Sequence, residues 1–125
     1  RWVEETEIDQ CVRAQWGLCG TRIGAYHHFD NVNKGKSKYS EERYFKITKD
    51  LYQRLNDRLS ASKYLAGDYY TIADIATWPW VARHRWHDIG LSNYSSLCKW
   101  YEEISTREAV IKGYNFLGGG EIPKP

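Results

Sequence analysis

The chain has 125 residues, of which 42% are hydrophobic and 27% charged, and its formal net charge at pH 7 is +2. This length fits one domain with its own hydrophobic core, and the composition is that of a folded globular protein. The near-balanced charge excludes the strongly basic surface with which proteins bind nucleic acid or anionic membranes. No apolar run approaches the ~18 residues that a membrane span requires.

The first residues and the three cysteines bear on where the protein works. Residues 1–10 are polar and acidic, unlike a secretory signal peptide. Because the sequence begins without Met, we expect a fragment, or a processed or truncated chain. Cys11 and Cys19 are eight residues apart, so on one helix they lie ~12 Å apart, beyond the reach of a disulfide. The cysteines are also odd in number and lack metal-binding spacing. We therefore predict a reducing, cytoplasmic location for the protein.

The first predicted helix runs from about residue 3 to residue 26. Apolar or small side chains recur along it at steps of three or four, the helical period. They are Ile8, Val12, Gln15 or Trp16, Cys19, Ile23 and Tyr26. Gly17, Gly20 and Gly24 share one stripe, although a glycine inside a helix costs up to ~1 kcal/mol relative to alanine. The stripe predicts a close contact with the backbone, made either by another helix or by a ligand.

The next predicted elements are a loop and a second helix. The segment from His27 to Lys38 is predicted as a loop, because it is rich in Asp and Asn. Its lysine cluster is interpreted as solvated, the alternative being a site for phosphate or an acidic partner. A helix is predicted to begin at Ser40, which would cap it, with acidic residues favourable in its first turn. Its apolar stripe is Tyr44, Ile47, Leu51, Leu55 and Leu59.

The third predicted helix follows a turn at residues 65–68. Thr71 and Asp74 have the spacing of a capping box, in which each side chain accepts a hydrogen bond from the other's backbone N–H. The helix after them is apolar on every side, which predicts a central, buried position. Asp74 is its only charge, and the cap would supply the hydrogen bonds that a buried carboxylate needs.

Two further helices complete the predicted bundle, and no internal repeat or strand pattern interrupts it. The first contains Leu97, Trp100, Tyr101 and Ile104, and the second is short, around residues 109–111. We therefore predict one α-helical domain at residues 1–114 and a flexible tail at residues 115–125.

Few residue patterns in the chain indicate chemistry. His84 and His87 have the i, i+3 spacing of metal ligands, and His27 and His28 are adjacent. Neither pair has a carboxylate or thiol partner at metal spacing, so we predict no metal. No nucleophile–base arrangement or phosphate loop stands at useful spacing, and no catalytic residue is assigned.

Several motifs resemble the C-terminal domain of the cytosolic glutathione transferases. They are Tyr64-Leu65-Ala66-Gly67-Asp68, Thr71-Ile72-Ala73-Asp74-Ile75-Ala76, Trp78-Pro79-Trp80-Val81 and Trp100-Tyr101-Glu102, together with Arg107. Glu42-Arg43-Tyr44 and residues 24–29 are similar to the bacterial and fungal nu class, which contains disulfide-bond-reductase transferases. The resemblance implies an all-α fold, a single helical bundle of about five helices, without the thioredoxin-like N-terminal domain of the family. It departs from the family at Glu108, where proline is usual.

The resemblance also implies a function and a site. The full protein would be a glutathione-dependent transferase or disulfide-bond reductase, and this chain alone would be inactive, because the absent domain activates the glutathione thiol. Arg43 matches an arginine that contacts glutathione in the nu class, and a guanidinium suits a carboxylate in a two-pronged contact. The alternative is an exposed arginine in an intrahelical pair. Tyr26, His27 and Tyr39 flank the same loop and either line the substrate pocket or serve ordinary packing.

The implied partners are glutathione as co-substrate, the thioredoxin-like domain of the same protein, and a second copy in a full-length homodimer. Neither nucleic acid nor a membrane is expected. The alternative is a non-catalytic protein-interaction module, because transferase-like domains also occur in translation factors and synthetase complexes. A thioredoxin-like region upstream would favour the enzyme.

Overall fold

A computed structural model describes residues 2–116 and 120–125, which form six helices and contain no β-strand. The helices are α1 at residues 2–32, α2 at Lys38–Ala61, α3 at Ile72–Val81, α4 at His84–His87, α5 at Ser95–Ser105 and α6 at Glu108–Phe116. A 3-10 turn at Leu91–Asn93 precedes α5. The predicted all-α class is confirmed, and the helix beyond the predicted five is α4, a single turn.

α1 is one continuous helix whose hydrogen-bonding period changes along its length. Its segments are α-helical at Trp2–Ala14, π-helical at Gln15–Ile23, α-helical at Gly24–His27 and π-helical at His28–Val32. The helix therefore continues past residue 26, and the loop predicted from His27 onward begins only after Val32.

α2 begins earlier than predicted. Ser37 has extended backbone dihedral angles, and its Oγ accepts from the Ser40 N–H at 3.3 Å, so Ser37 is the N-cap. Ser40 lies in the first turn, and its assignment as the cap is wrong. The Glu41 carboxylate accepts from the Gly35 N–H at 2.6 Å, which links the preceding turn to the start of the helix.

The core lies where α1, α2, α3 and α5 meet. Its fully buried side chains include Tyr52, Val81, Leu97, Tyr101 and Ile104, each at most 1% exposed. Burying one large apolar side chain contributes ~1.5–3 kcal/mol. The Trp78 ring stacks on Tyr101 with centroids 5.5 Å apart, and its indole N–H donates to the Tyr101 carbonyl at 3.3 Å.

α3 occupies the predicted central position but is not buried on every side. Ala73 and Trp78 lie in the core, whereas Ile72 is 59% and Ile75 55% exposed. Apolar composition alone therefore overstated the burial of α3, because none of the helices described in residues 2–116 covers the face that carries Ile72 and Ile75.

The glycine stripe of α1 contacts α3 through one indole ring. A Cβ added at Gly20 would lie 3.5 Å from Trp80, and one at Gly24 would lie 3.9 Å from it, whereas nothing lies within 4 Å at Gly17. The predicted close contact is thus made by a helix, at two of the three glycines.

The end of the chain lies against the domain. The boundary predicted at residue 114 falls inside α6, and the Tyr101 hydroxyl donates to the Pro123 carbonyl at 2.7 Å. Ile122 packs against the core, and the flexibility of the tail stays a prediction. No helix in the described part of the chain has both the length and the apolar character needed to cross a membrane.

Candidate functional site

The predicted capping box is present at the start of α3 and is structural. Asp74 is fully buried, and its Oδ2 accepts from the Thr71 N–H at 3.0 Å and from the Thr71 hydroxyl at 3.2 Å. Its Oδ1 accepts from the Leu65 N–H at 3.0 Å and from the Trp100 indole N–H at 2.9 Å. The Thr71 hydroxyl in turn accepts from the Ala73 N–H at 3.3 Å. Four donors therefore satisfy a carboxylate that has no water around it.

Arg43 and Tyr39 form an exposed pair near the start of α2, four residues apart on one helix, so the intrahelical pair named as the alternative for Arg43 is present. The guanidinium Nη1 donates to the Tyr39 hydroxyl at 3.3 Å, one helical turn earlier, and Tyr39 is 70% exposed. Among residues 2–116 and 120–125, no carboxylate lies within ion-pair distance of Arg43. The hydroxyl leaves most of the guanidinium donors available to an anion from outside the domain.

Tyr26 lies in the core beside this region. It is 4% exposed, and its ring centroid is 5.8 Å from that of Phe45 and 6.2 Å from that of His87. Burial raises the pKa of Tyr26 to about 12, with smaller contributions from two nearby carboxylates. The phenol is therefore neutral, and its described contacts are those of a packing residue.

His27 lies at the surface against α4. Its ring stacks on the indole of Trp86 at 5.1 Å with 28° between the planes, and its Nδ1 is 3.2 Å from the Asn31 side-chain amide. Trp86 is 52% exposed, so this stack borders solvent.

The structure thus pairs Tyr39 with Arg43 and His27 with Trp86, while Tyr26 packs beneath the surface. Sequence reasoning missed Asn31 and Trp86. The i, i+4 spacing of Asn31 from His27 was a usable signal on a helix, but the predicted loop concealed it. Trp86 is distant in sequence, and no spacing rule could connect it to His27.

The three thiols are not activated as nucleophiles. Burial raises the pKa of Cys19 to about 12 and is also the main cause of the raised pKa values of Cys11 and Cys98. Because the thiolate is the reactive form, these groups lack the lowered pKa of catalytic cysteines.

Two buried histidines lie apart from the exposed pairs. His87 is fully buried with its Nδ1 2.8 Å from the Tyr52 hydroxyl, and burial lowers its pKa to about 4. Burial also lowers the pKa of His84. Among the described residues, no group of three or more His, Cys, Asp or Glu is arranged to hold a metal.

The described residues thus form an all-α bundle with an exposed guanidinium–phenol pair and no thiol of lowered pKa. The family model for the glutathione S-transferase C-terminal domain matches residues 19–108. The chain belongs to this family, which confirms the resemblance found in its motifs.

The relatives make the comparison more specific. The chain is 41% identical to the disulfide-bond oxidoreductase YfcG of Escherichia coli K12 over 96 residues, which cover 77% of this chain and 45% of that protein. It is 33% identical to the disulfide-bond oxidoreductase YghU of the same organism over 97 residues, covering 72% of this chain and 34% of that protein. Both agree with the nu-like assignment, and the chain spans less than half the length of either relative.

Solved structures share the fold. The glutathione transferase YghU of Streptococcus pneumoniae, complexed with glutathione, matches with a TM-score of 0.80 and 32% identity, over 89% of this chain and 46% of that one. A glutathione transferase family member from Pseudomonas fluorescens, with two glutathione molecules bound, matches with a TM-score of 0.79 and 29% identity, over 86% of this chain and 51% of that one.

Proposed function

We propose that this chain is the C-terminal, substrate-pocket half of a glutathione-dependent transferase or disulfide-bond reductase, and that it is inactive alone. The observation that carries the proposal is the exposed, charge-unpaired Arg43 held by Tyr39 at the start of α2. Two relatives named as disulfide-bond oxidoreductases, and two structures with bound glutathione, support glutathione as the co-substrate.

Arg43 would bind a carboxylate of glutathione. A planar guanidinium matches a carboxylate with two parallel N–H donors, and such charge-assisted contacts are stronger than neutral ones. The Tyr39 hydroxyl occupies a single donor at 3.3 Å and restrains the guanidinium, which lowers the entropy lost when the anion binds. His27 would border the same pocket, whereas Tyr26, at 4% exposure, would only support it from the core.

The missing chemistry would come from a thioredoxin-like N-terminal domain of the same protein. None of the thiols described above has a lowered pKa, so activation of the glutathione sulfur needs groups from elsewhere. The exposed face of α3 at Ile72 and Ile75 offers an apolar surface for such a domain. The full-length protein would be a cytoplasmic homodimer, as proposed from the family resemblance.

The test is substitution of Arg43 in the full-length protein. A guanidinium–carboxylate contact contributes ~1.5–3 kcal/mol, so Arg43→Ala should weaken glutathione-disulfide handling about 10- to 150-fold. Arg43→Lys should recover little, because an ammonium cannot make the two-pronged contact. Arg13→Ala is the matched control, since this exposed arginine lies on α1, a different helix from Arg43, and pairs there with Asp9.

Full reductase activity in Arg43→Ala would contradict the assigned role. The isolated chain should give no turnover of glutathione with an aryl halide, and turnover above background would contradict the division into two halves. A full-length protein with no glutathione-dependent activity would favour the non-catalytic interaction module instead.

A further inference from the structure

Two histidine–asparagine pairs follow one another at the end of α1. The Asn31 Nδ2 lies 3.2 Å from the His27 Nδ1, and the Asn33 Nδ2 lies 2.7 Å from the His28 Nε2. The spacings differ because the last segment, His28–Val32, is π-helical. In a π-helix, residues five apart lie on the same face, which brings the Asn33 amide to the His28 ring. Asn31, four residues after His27, contacts the His27 ring.

A second contact determines which way the Asn31 amide faces. The same Nδ2 lies 3.5 Å from the backbone carbonyl oxygen of Trp86. A carbonyl can only accept a hydrogen bond, so this long contact favours the orientation in which the NH2 group, and not the oxygen, faces it. That NH2 group is therefore also the atom facing the His27 ring, where Nδ1 accepts.

An imidazole nitrogen that accepts carries no proton, so in the neutral ring the proton is on the other nitrogen. We propose that Asn31 is a positioning residue that fixes His27 as the Nε2–H tautomer, with the ring held against Trp86. His27 then has one hydrogen-bond donor, Nε2–H, available to a ligand at the surface. Neither the orientation of the Asn31 amide nor the tautomer of His27 can be inferred from the His27 ring without the contact to Trp86.

This inference rests on the proposed function for the identity of the ligand. A donor from a ring stacked on an exposed indole suits a carboxylate or peptide carbonyl oxygen, and glutathione carries both. The stack restricts the ring to one plane, so the direction of the N–H is set before the ligand arrives.

The test is the protonation pattern of the imidazole nitrogens, read from long-range 1H–15N NMR spectra of the 125-residue chain at pH 8. Free imidazole is largely neutral at that pH. His27 is assigned by its absence in His27→Gln. In the wild type we expect a protonated-type Nε2 and an unprotonated, pyridine-type Nδ1.

Asn31→Asp replaces the donor with an acceptor of the same shape, and should place a proton on the His27 Nδ1 while leaving the His28 pattern unchanged. Asn33→Asp is the matched control and should alter His28 only. A purely structural asparagine would not invert a tautomer. If Asn31→Asp fails to fold, as judged by circular dichroism, Asn31→Ala replaces it and should raise the Nδ1–H fraction of His27 from near zero to that of a free histidine.

A wild-type His27 with Nδ1 protonated, or an even mixture of tautomers, would overturn the inference, as would an unchanged pattern in a folded Asn31→Asp. Titrating the full-length protein with glutathione disulfide separates this from the proposed function. The predicted tautomer with no response of the His27 Nε2–H would refute glutathione as its ligand. A wrong tautomer would refute the role of Asn31 whichever ligand binds.

Discussion

The carboxylate of Asp74 joins three parts of the chain. It accepts hydrogen bonds from the cap residue Thr71, from Leu65 in the preceding turn and from Trp100 on α5. A buried charge is stable only when its oxygens are satisfied in this way. Asp74 thus anchors α3 to the turn before it and to the helix that packs behind it.

Removing this carboxylate should be costly. Asp74→Ala leaves buried N–H groups unpaired and removes the cap, so we expect a loss of about 3–5 kcal/mol in the free energy of unfolding. Thr71→Ala removes only the hydroxyl of the cap and should cost ~1 kcal/mol. Urea unfolding followed by circular dichroism measures both. An Asp74→Ala midpoint equal to that of the wild type would show that these bonds contribute nothing.

Local spacing explains which of these contacts the sequence could predict. Thr71 and Asp74 are three residues apart, so helix geometry alone brings them together. The bonds to Leu65 and Trp100 depend on how the turn and α5 are placed by the rest of the core. For the same reason Arg43 could be proposed from its motif and Tyr39 from its position, whereas Trp86 could not be proposed at all.

Acid should destabilise the domain through its buried histidines. The pKa of His87 is about 4 in the folded chain against about 6.5 when unfolded. Above pH 6.5 the ring is neutral in both states and the stability is fully present. Between pH 6.5 and 4 only the unfolded state takes up the proton, so stability falls by ~1.4 kcal/mol per pH unit, about 3 kcal/mol in all.

Urea unfolding at a series of pH values checks this expectation. His87→Phe should be less stable at pH 7, because the Tyr52 hydroxyl loses its partner, but its stability should fall less steeply with acid. His84, whose pKa is also lowered, leaves a residual slope. A wild type whose stability is flat from pH 6.5 to 4.5 would contradict the burial of His87.

Among the helices, α1 departs most from its prediction. The composition of residues 27–38 favours a loop, because asparagine side chains usually compete for backbone hydrogen bonds. Here the amides of Asn31 and Asn33 contact histidine rings one turn earlier, so the helix continues. The sequence pattern detects most of the apolar face of α1, although Trp16 is 78% exposed and Gln15 beside it is buried. It does not detect such side-chain pairs near the end of the helix.

The glycine stripe of α1 yields a prediction at two positions. Gly17 has open space around it, so Gly17→Ala should stabilise the chain by up to ~1 kcal/mol through helix propensity. At Gly20 a Cβ would already lie 3.5 Å from Trp80, so Gly20→Leu would overpack this contact and should destabilise by ~1–3 kcal/mol. Thermal unfolding of the two variants measures the difference. Equal effects at the two sites would mean that Trp80 does not pack there.

Across the residues that the structure describes, one side of the central helix, α3, is left uncovered. Ile72 and Ile75 are each more than half exposed, although they belong to the helix with the most apolar sequence. Contiguous exposed apolar patches often mark interaction surfaces. This agrees with a chain that spans under half of its relatives' lengths.

The proposal that another domain covers this face of α3 can be tested by comparing the isolated 125-residue chain with the full-length protein. Ile75→Ser should change the stability of the isolated chain by less than ~0.5 kcal/mol, because the side chain is 55% exposed. In the full-length protein, where we propose a covering domain, the same change should cost ~1–3 kcal/mol. Ile111→Ser, on α6, is the control and should act alike in both chains. Equal effects of Ile75→Ser in both chains would argue against a domain on this face.

The hydrogen bonds that Asp74 accepts have a further consequence, for the order of events in folding. The bond to the Thr71 N–H closes a loop of three residues and can form as soon as the first turn of α3 exists. The bond from Trp100 closes a much longer loop and must wait until α5 has docked. Asp74 thus takes part first in the forming helix α3 and later in the packed core. Weakening its bond to the Thr71 N–H should slow folding, whereas weakening its bond to the Trp100 indole should chiefly hasten unfolding.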